Sequence, residues 1–228
     1  MNLLLLLLLA ITALFLIRGY RRGLFKSAVS TIGIALAVFI TAIIYPYVAL
    51  LICNLTNVDD RIDASISDSL EELVPETPTR TEQMDIIDNL ELNQTLKDML
   101  MENNNDEIYD SLQVEAFTDY VSAYLTNVIV NGIAYVVTFI IMMLIVFILI
   151  HFADIFTDIP VVHAIDKVGG LVFGMAEALA FIWMLFLIIT VLSTTEGGVA
   201  LINMIEESPI LKLLYDNNIL LKIAIGLY

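Results

Sequence analysis

Four long apolar runs limit what this chain can fold into more than any other feature. They cover residues 3–17, 28–52, 128–150 and 168–192. A helix needs about 20 apolar residues, each rising 1.5 Å, to cross the hydrocarbon core of a bilayer. The last three runs reach that length, and the first is shorter. We therefore predict an all-α membrane protein with about four transmembrane helices, one for each run.

The first run, residues 3–17, has to be distinguished from a secretory signal peptide. A signal peptide carries positive charge before its apolar stretch and small residues at a cleavage site after it. In this chain the basic residues Arg18, Arg21 and Arg22 follow the run. This reversed polarity favours an uncleaved first helix. In the second run, Pro46 predicts a kink, because its ring removes a backbone donor and clashes with the preceding turn.

The turn between the first two runs, residues 18–27, predicts the orientation in the membrane. It holds four of the ten Lys and Arg residues, namely Arg18, Arg21, Arg22 and Lys26. Lys and Arg in short loops mark the cytoplasmic side. The N-terminus, the segment 53–125 and the C-terminal segment 194–228 are then expected outside the cytoplasm. The turn 151–167 is expected inside.

The segment 53–125 carries most of the charge of the chain. It holds 18 acidic residues against three basic ones, a net charge of −15 within a total of −16. A nucleic-acid partner needs a basic surface, so this segment excludes one. Two apolar stripes at helical spacing predict two or three amphipathic helices, with a cap at Thr79 or Thr81. The stripes are Ile62, Ile66, Leu70, Leu73 and Met84, Ile87, Leu90, Leu96, Met99, Leu100. A solvated, flexible acidic loop is the alternative.

The C-terminal segment 194–228 holds apolar pieces that are too short to cross a bilayer. Ser208 followed by Pro209 is typical of a helix N-cap with proline at the first helical position. We expect short helices that lie in the membrane interface or cap the bundle.

Glu177 is the acidic residue placed deepest in an apolar run. At 1.5 Å per residue it lies about 14 Å from the start of the fourth run. A carboxyl group at that depth normally faces the bundle interior and a partner, which Arg18 or Arg21 could supply. The structural interpretation is a hydrogen bond between helices, and the functional one is proton or ion handling.

Small and polar residues mark two further helix faces. Gly170, Gly174 and Ala178 lie four residues apart, a spacing that lets two membrane helices approach closely. The third run carries a polar face near its outer half, formed by Asn127, Asn131 and Thr138. These polar side chains could join helices or line a wet cavity.

No sequence pattern indicates catalysis. The chain has no phosphate-binding loop, nucleophile elbow or zinc signature. The single cysteine, Cys53, cannot form a disulfide within the chain. Asp154, Asp158 and Asp166 in the turn 151–167 are interpreted as solvated loop residues. We therefore predict no catalytic, metal or cofactor site and no cofactor.

Two stretches resemble the CvpA family, the colicin V production proteins. The first is Arg18-Gly19-Tyr20-Arg21-Arg22-Gly23-Leu24, followed by Gly33, and it is similar to the family's basic turn between a short and a long helix. The second, residues 165–174 (IDKVGGLVFG), is similar to the entry into the family's last helix. The acidic segment is not covered by the resemblance.

The resemblance implies a non-enzymatic, multi-pass protein of the bacterial plasma membrane. Such a protein would support toxin production or export and cell-envelope processes by binding partners. The expected partners are the lipid bilayer, other envelope or membrane proteins and a second copy of the chain. The alternative is a channel or transporter subunit in which Glu177 and the polar face of the third helix line an ion or proton path.

Overall fold

The computed structural model describes residues 2–71, 73–75, 77–92, 94–153, 163–193 and 195–225. Over these residues the regular structure consists of ten α-helices and no strand. This confirms the predicted all-α class. The helices are α1 (Leu3–Thr56), α2 (Val58–Glu71), α3 (Arg80–Asn89), α4 (Gln94–Asn103), α5 (Asp106–Leu112), α6 (Phe117–Ala153), α7 (His163–Val191), α8 (Glu196–Glu206), α9 (Pro209–Asp216) and α10 (Ile219–Ile225).

Within the described residues, three helices are long and apolar enough to cross a bilayer. They are Leu3–Thr56, Phe117–Leu149 within α6, and Asp166–Val191 within α7. Many of their large apolar side chains are exposed, among them Leu14, Ile32, Phe39, Leu144, Phe147 and Val172. Apolar surface of this extent is unfavourable in water and stable against lipid tails. The chain is therefore an integral membrane protein.

The first long helix, α1, is a hairpin. Its two helical segments, residues 3–22 and 24–56, meet at Gly23, where φ is 80° and ψ is 176°. A straight helix of 54 residues would measure about 81 Å at 1.5 Å per residue. Instead, the Asn2 amide donates to the carbonyl of Met204, and the Tyr45 hydroxyl donates to the carbonyl of Ile223. Asn2 and Tyr45, from the two arms of the hairpin, thus contact the same C-terminal segment.

The reversal differs from the predicted ten-residue turn over 18–27. Helical structure continues on both sides of Gly23, and the chain reverses at that one residue. Glycine adopts a positive φ without steric cost, so no loop is needed. The four basic residues therefore lie on helix ends rather than in a loop. Pro46 lies inside the second helical segment, which keeps helical dihedral angles around it.

The acidic segment forms four packed helices, α2 to α5, where the sequence predicts two or three. The side chains of Leu70, Ile87, Leu96 and Leu100 are buried in one apolar cluster. The Tyr120 hydroxyl, from the start of α6, donates to the Leu100 carbonyl at 2.7 Å. The alternative of a solvated, flexible loop is therefore wrong.

The acidic segment exceeds the predicted number of helices because its second apolar stripe is divided between α3 and α4. The helix α3 ends at Asn89, and Leu90 adopts extended dihedral angles. The sixth helix also begins at Phe117, before the predicted start of the third span at residue 128. Its polar first turns continue the same helix and pack against the acidic segment.

The three C-terminal helices close one end of the bundle. The Trp183 indole of α7 donates to the Leu214 carbonyl at 3.1 Å, and the Asn218 amide donates to the Trp183 carbonyl at 2.9 Å. The Tyr215 hydroxyl lies 2.6 Å from the Thr190 hydroxyl. The Ser208 side chain caps α9 and accepts from the amide of Leu211, which confirms the predicted cap.

We expect Thr79→Ala to lower the stability of the acidic segment by about 1 kcal/mol. The Thr79 side chain accepts from the amide of Glu82, and the Glu82 carboxylate accepts from the Thr79 amide at 2.7 Å, so two otherwise unpaired donors of α3 are bonded. Amide hydrogen exchange of α3 measures the loss. The matched control is Thr81→Ala, which lies inside α3 and should be nearly neutral. Equal effects of the two changes would contradict the cap.

The same cap predicts a pH dependence. Its hydrogen bonds from the Thr79 backbone and side chain lower the pKa of Glu82. A carboxyl group with a lowered pKa in the folded state adds stability above its ordinary pKa, and this stability is lost as the pH falls through the lower, folded value. The difference in hydrogen exchange between the wild type and Thr79→Ala should therefore shrink below the ordinary glutamate range. A difference that stays constant under acid would contradict the role of the Glu82 charge.

Candidate functional site

The hairpin and α7 come into backbone contact through glycines. A Cβ atom on Gly170 would lie 2.2 Å from the carbonyl oxygen of Gly19. A Cβ atom on Gly174 would lie 2.6 Å from the carbonyl oxygen of Phe15. Backbone touches backbone at both places, and no side chain larger than hydrogen fits. Ala178, one turn further along α7, is fully buried.

Asp166 holds the reversal of the hairpin in place. Its Oδ1 accepts from the backbone N–H of Leu24 at 2.8 Å. Leu24 is the first residue of the second helical segment, whose N–H groups lack partners within the helix. A Cβ atom on Gly23 would lie 2.0 Å from Oδ2 of the same carboxyl group. Gly23 thus provides both the positive φ and the room for Asp166, which the sequence interpretation had assigned to a solvated loop.

We expect Asp166→Ala to destabilise the protein by about 1 kcal/mol, the usual cost of losing an N-cap side chain. Asp166→Asn keeps a side-chain oxygen at the same place and should retain most of the stability. Thermal unfolding in a nonionic detergent, followed by circular dichroism, compares the two variants. Equal losses would show that the charge of the carboxyl group, and not its position as an acceptor, is what matters.

Basic side chains collect at the end of the bundle where the hairpin reverses. Arg18, Arg21 and Lys26 are exposed there, and Arg22 is half-buried. The ammonium group of Lys167 lies 5.2 Å from the centre of the Tyr20 ring, a distance typical of a cation–π contact. The C-terminal helices contact Tyr45, 21 residues or about 32 Å along the second helical segment from Leu24. The acidic segment starts at the end of that helical segment, about 50 Å away for 33 helical residues. The bundle thus has one basic and one acidic end.

Glu177 lies inside the bundle, one turn from the glycine contact. Its side chain is 5% exposed, and its Oε1 has no hydrogen-bond partner among the residues that the structure describes. Arg18 and Arg21, the partners that the sequence suggested, are exposed to the surroundings. A buried oxygen without a partner costs free energy, so this carboxyl group is a candidate functional group.

The polar face of the third long helix does not meet Glu177. Gly132 of α6 is level with Val191, because a Cβ atom on Gly132 would lie 2.3 Å from the Cγ2 atom of Val191. Val191 follows Glu177 by 14 residues, or about 21 Å along α7. Asn131 is therefore separated from Glu177 by about two-thirds of a bilayer core.

The other members of that face bond to their own helix. The Asn127 amide donates to the Ala123 carbonyl at 3.0 Å, and the Thr138 hydroxyl donates to the Ala134 carbonyl at 2.7 Å. Asn127 and Asn131 are half-buried. Asn127 and Thr138 thus each bond to the backbone one turn earlier in α6. Asp154 and Asp158, from the turn 151–167, lie outside the described residues.

The sequence does not indicate the role of Asp166, whereas the spacing of the glycines does indicate the glycine contact. Gly19 and Gly23 are four residues apart, as Gly170 and Gly174 are, and two such pairs are the pattern expected of a close helix crossing. Nothing in the sequence distinguishes Asp166 from a solvated loop acid, since its partner Leu24 lies 142 residues away.

Comparison with known proteins identifies a family. The model of the family described as colicin V production protein matches residues 5–70 and 110–218. No curated protein and no solved structure matches the chain. The matched residues include Gly19, Gly23, Asp166 and Gly170, whereas α3 and α4 fall in the unmatched stretch 71–109.

Proposed function

The chain belongs to the colicin V production protein family, and on that premise we propose how it works. It is a non-enzymatic, multi-pass protein of the bacterial plasma membrane that supports toxin production or export and cell-envelope processes. It does so by binding partner proteins. The helix bundle holds the acidic segment on one face of the membrane, where these partners bind.

The glycine contact is the observation that carries this proposal. Gly19 belongs to the first matched stretch and Gly170 to the second, so their backbones join the two parts of the chain that match the family. Glycines at a crossing let two membrane helices pack closely, and such dense packing restricts the movement of one helix against the other. A rigid bundle suits a protein that positions other proteins and carries out no reaction itself.

The charge separation supports four membrane crossings with both termini outside the cytoplasm. The hairpin contributes two crossings, since its first segment, residues 3–22, spans about 30 Å at 1.5 Å per residue. The helices α6 and α7 contribute the other two. The basic end near Gly23 would face the cytoplasm by the positive-inside rule, and the acidic segment would then face the periplasmic or outer side.

Cysteine labelling of intact cells tests this topology. In a Cys53→Ser background, Glu107→Cys places a thiol at an exposed position of α5, and Tyr20→Cys places one beside Gly23 without removing a basic residue. A membrane-impermeant maleimide should label Glu107→Cys in intact cells and Tyr20→Cys only after the membrane is permeabilised. The opposite pattern would reverse the orientation and place the acidic segment in the cytoplasm.

Complementation tests the function. Cells that lack their own colicin V production protein and carry a bacteriocin gene cluster should secrete more bacteriocin when this chain is expressed. Inhibition zones on a sensitive lawn measure secretion, and immunoblots of membranes measure the amount of protein. Unchanged secretion with the chain present in the membrane would contradict the proposed role.

A further inference from the structure

A groove of about 310 Å³ lies between α3 and the turn that follows α2. Leu73, Pro75 and Ile86 give it apolar walls, and the carboxylates of Glu82 and Asp85 lie along its edge. The groove is on the acidic segment, away from the glycine contact.

The shape of the groove is imposed by well-bonded neighbours. The amides of Leu73 and Val74 both donate to the carbonyl of Leu70, at 2.9 and 3.0 Å, and Leu70 is anchored in the apolar cluster. The Thr79 cap fixes the start of α3 on the opposite wall. Leu73 is nevertheless 63% exposed. Together with Pro75 and Ile86, Leu73 therefore offers apolar surface in the groove from a turn whose backbone is hydrogen-bonded.

The charge at the edge of the groove is negative and has no basic neighbour among its lining residues. The Glu82 carboxylate accepts two hydrogen bonds from Thr79, which lower its pKa and keep it ionised. Asp85 is exposed. Lys97, one of the two bases of the stretch 71–109, donates to the Asp88 carbonyl and does not line the groove.

We propose that this groove binds a segment of a partner protein that is both apolar and basic. An apolar side chain of the segment would pack on Leu73 and Ile86, and a Lys or Arg would meet Glu82 and Asp85. This inference rests on the proposed partner-binding function and names the chemistry of one partner. Because the groove residues lie in the stretch 71–109 that the family model does not match, the partner is bound by a part of this chain outside the matched regions.

Peptide binding to the purified, full-length chain in a nonionic detergent tests the inference. The probe is a short, fluorescently labelled amphipathic peptide of leucine and lysine, and its counterpart has glutamate in place of lysine. Fluorescence anisotropy at low salt should show saturable binding of the lysine peptide only, above the signal from empty micelles. Asp85→Lys should weaken binding about tenfold and Leu73→Ser about fivefold, and added salt should weaken it further.

Two matched controls separate docking from general attraction. Asp110→Lys makes the same charge change at an exposed position of α5, and Met84→Ser removes an exposed apolar side chain of α3 that does not line the groove. Both should leave the affinity within about twofold. An equal loss in Asp110→Lys and Asp85→Lys would show diffuse attraction and overturn the proposal, as would absence of lysine-peptide binding.

Failure of the groove and failure of the family function are distinguishable. If the wild-type chain restores bacteriocin secretion and no peptide binds, only the groove proposal is wrong. If the peptide binds as expected and secretion is not restored, the groove stands and the secretion role is wrong.

Discussion

Gly170→Ala is expected to destabilise the bundle by roughly 3 kcal/mol, although alanine forms helices better than glycine does. The added Cβ atom would lie 2.2 Å from the carbonyl oxygen and 2.9 Å from the carbonyl carbon of Gly19. These are backbone atoms of a packed helix, so they cannot move aside as a flexible side chain does. The hairpin and α7 would have to separate. Thermal unfolding in a nonionic detergent, followed by circular dichroism, measures the loss.

Gly197→Ala is the matched control for this prediction. It is also a glycine-to-alanine change in a helix, α8, but its Cβ atom would meet nothing within 4 Å. It should stabilise the protein slightly, by up to about 1 kcal/mol, because the unfolded chain loses freedom. If both variants unfold at the wild-type temperature, the backbone contact between Gly170 and Gly19 does not exist in solution.

The sequence predicts the membrane helices well because their signal is local. A run of apolar residues is sufficient to indicate a membrane helix, and the two pairs of glycines four residues apart indicate a close crossing. The N-cap of α3 is also a local feature, and the sequence limits it to two candidates, Thr79 and Thr81. Such features depend on residues within one or two turns of each other.

Features that depend on distant contacts were missed or placed wrongly. The sequence predicts a ten-residue turn over residues 18–27, yet the chain reverses at Gly23 alone, where a carboxyl group from 142 residues further along caps the next helix. The sequence around a glycine does not show that a side chain from a distant segment will cap the helix that follows it. Likewise, the sequence places one apolar stripe over Met84 to Leu100, and only the extended dihedral angles of Leu90 show that it is divided between two helices.

Glu177→Met is expected to stabilise the protein by roughly 2 kcal/mol, opposite in sign to most core substitutions. Glu177 is 5% exposed, and within the described part of the chain its Oε1 has no hydrogen-bond partner. Methionine is unbranched, similar in volume and has no strong polar atom, so it fills the site without the cost of an unpaired acceptor. Unfolding of the detergent-solubilised protein, measured as for Gly170→Ala, gives the size of the gain.

Glu102→Met is the control, since it replaces an exposed glutamate of α4 and should change stability by less than about 0.5 kcal/mol. A loss of stability in Glu177→Met would mean that the carboxyl group makes a favourable bond. A gain in stability together with reduced bacteriocin secretion would separate folding from function, because a residue that weakens the fold and is needed for activity is retained for its chemistry.

Proton flux into liposomes, compared between wild type and Glu177→Gln, then shows whether that chemistry is transport. Because Asn131 lies about 20 Å from Glu177 along the helix axes, we expect no flux in either protein.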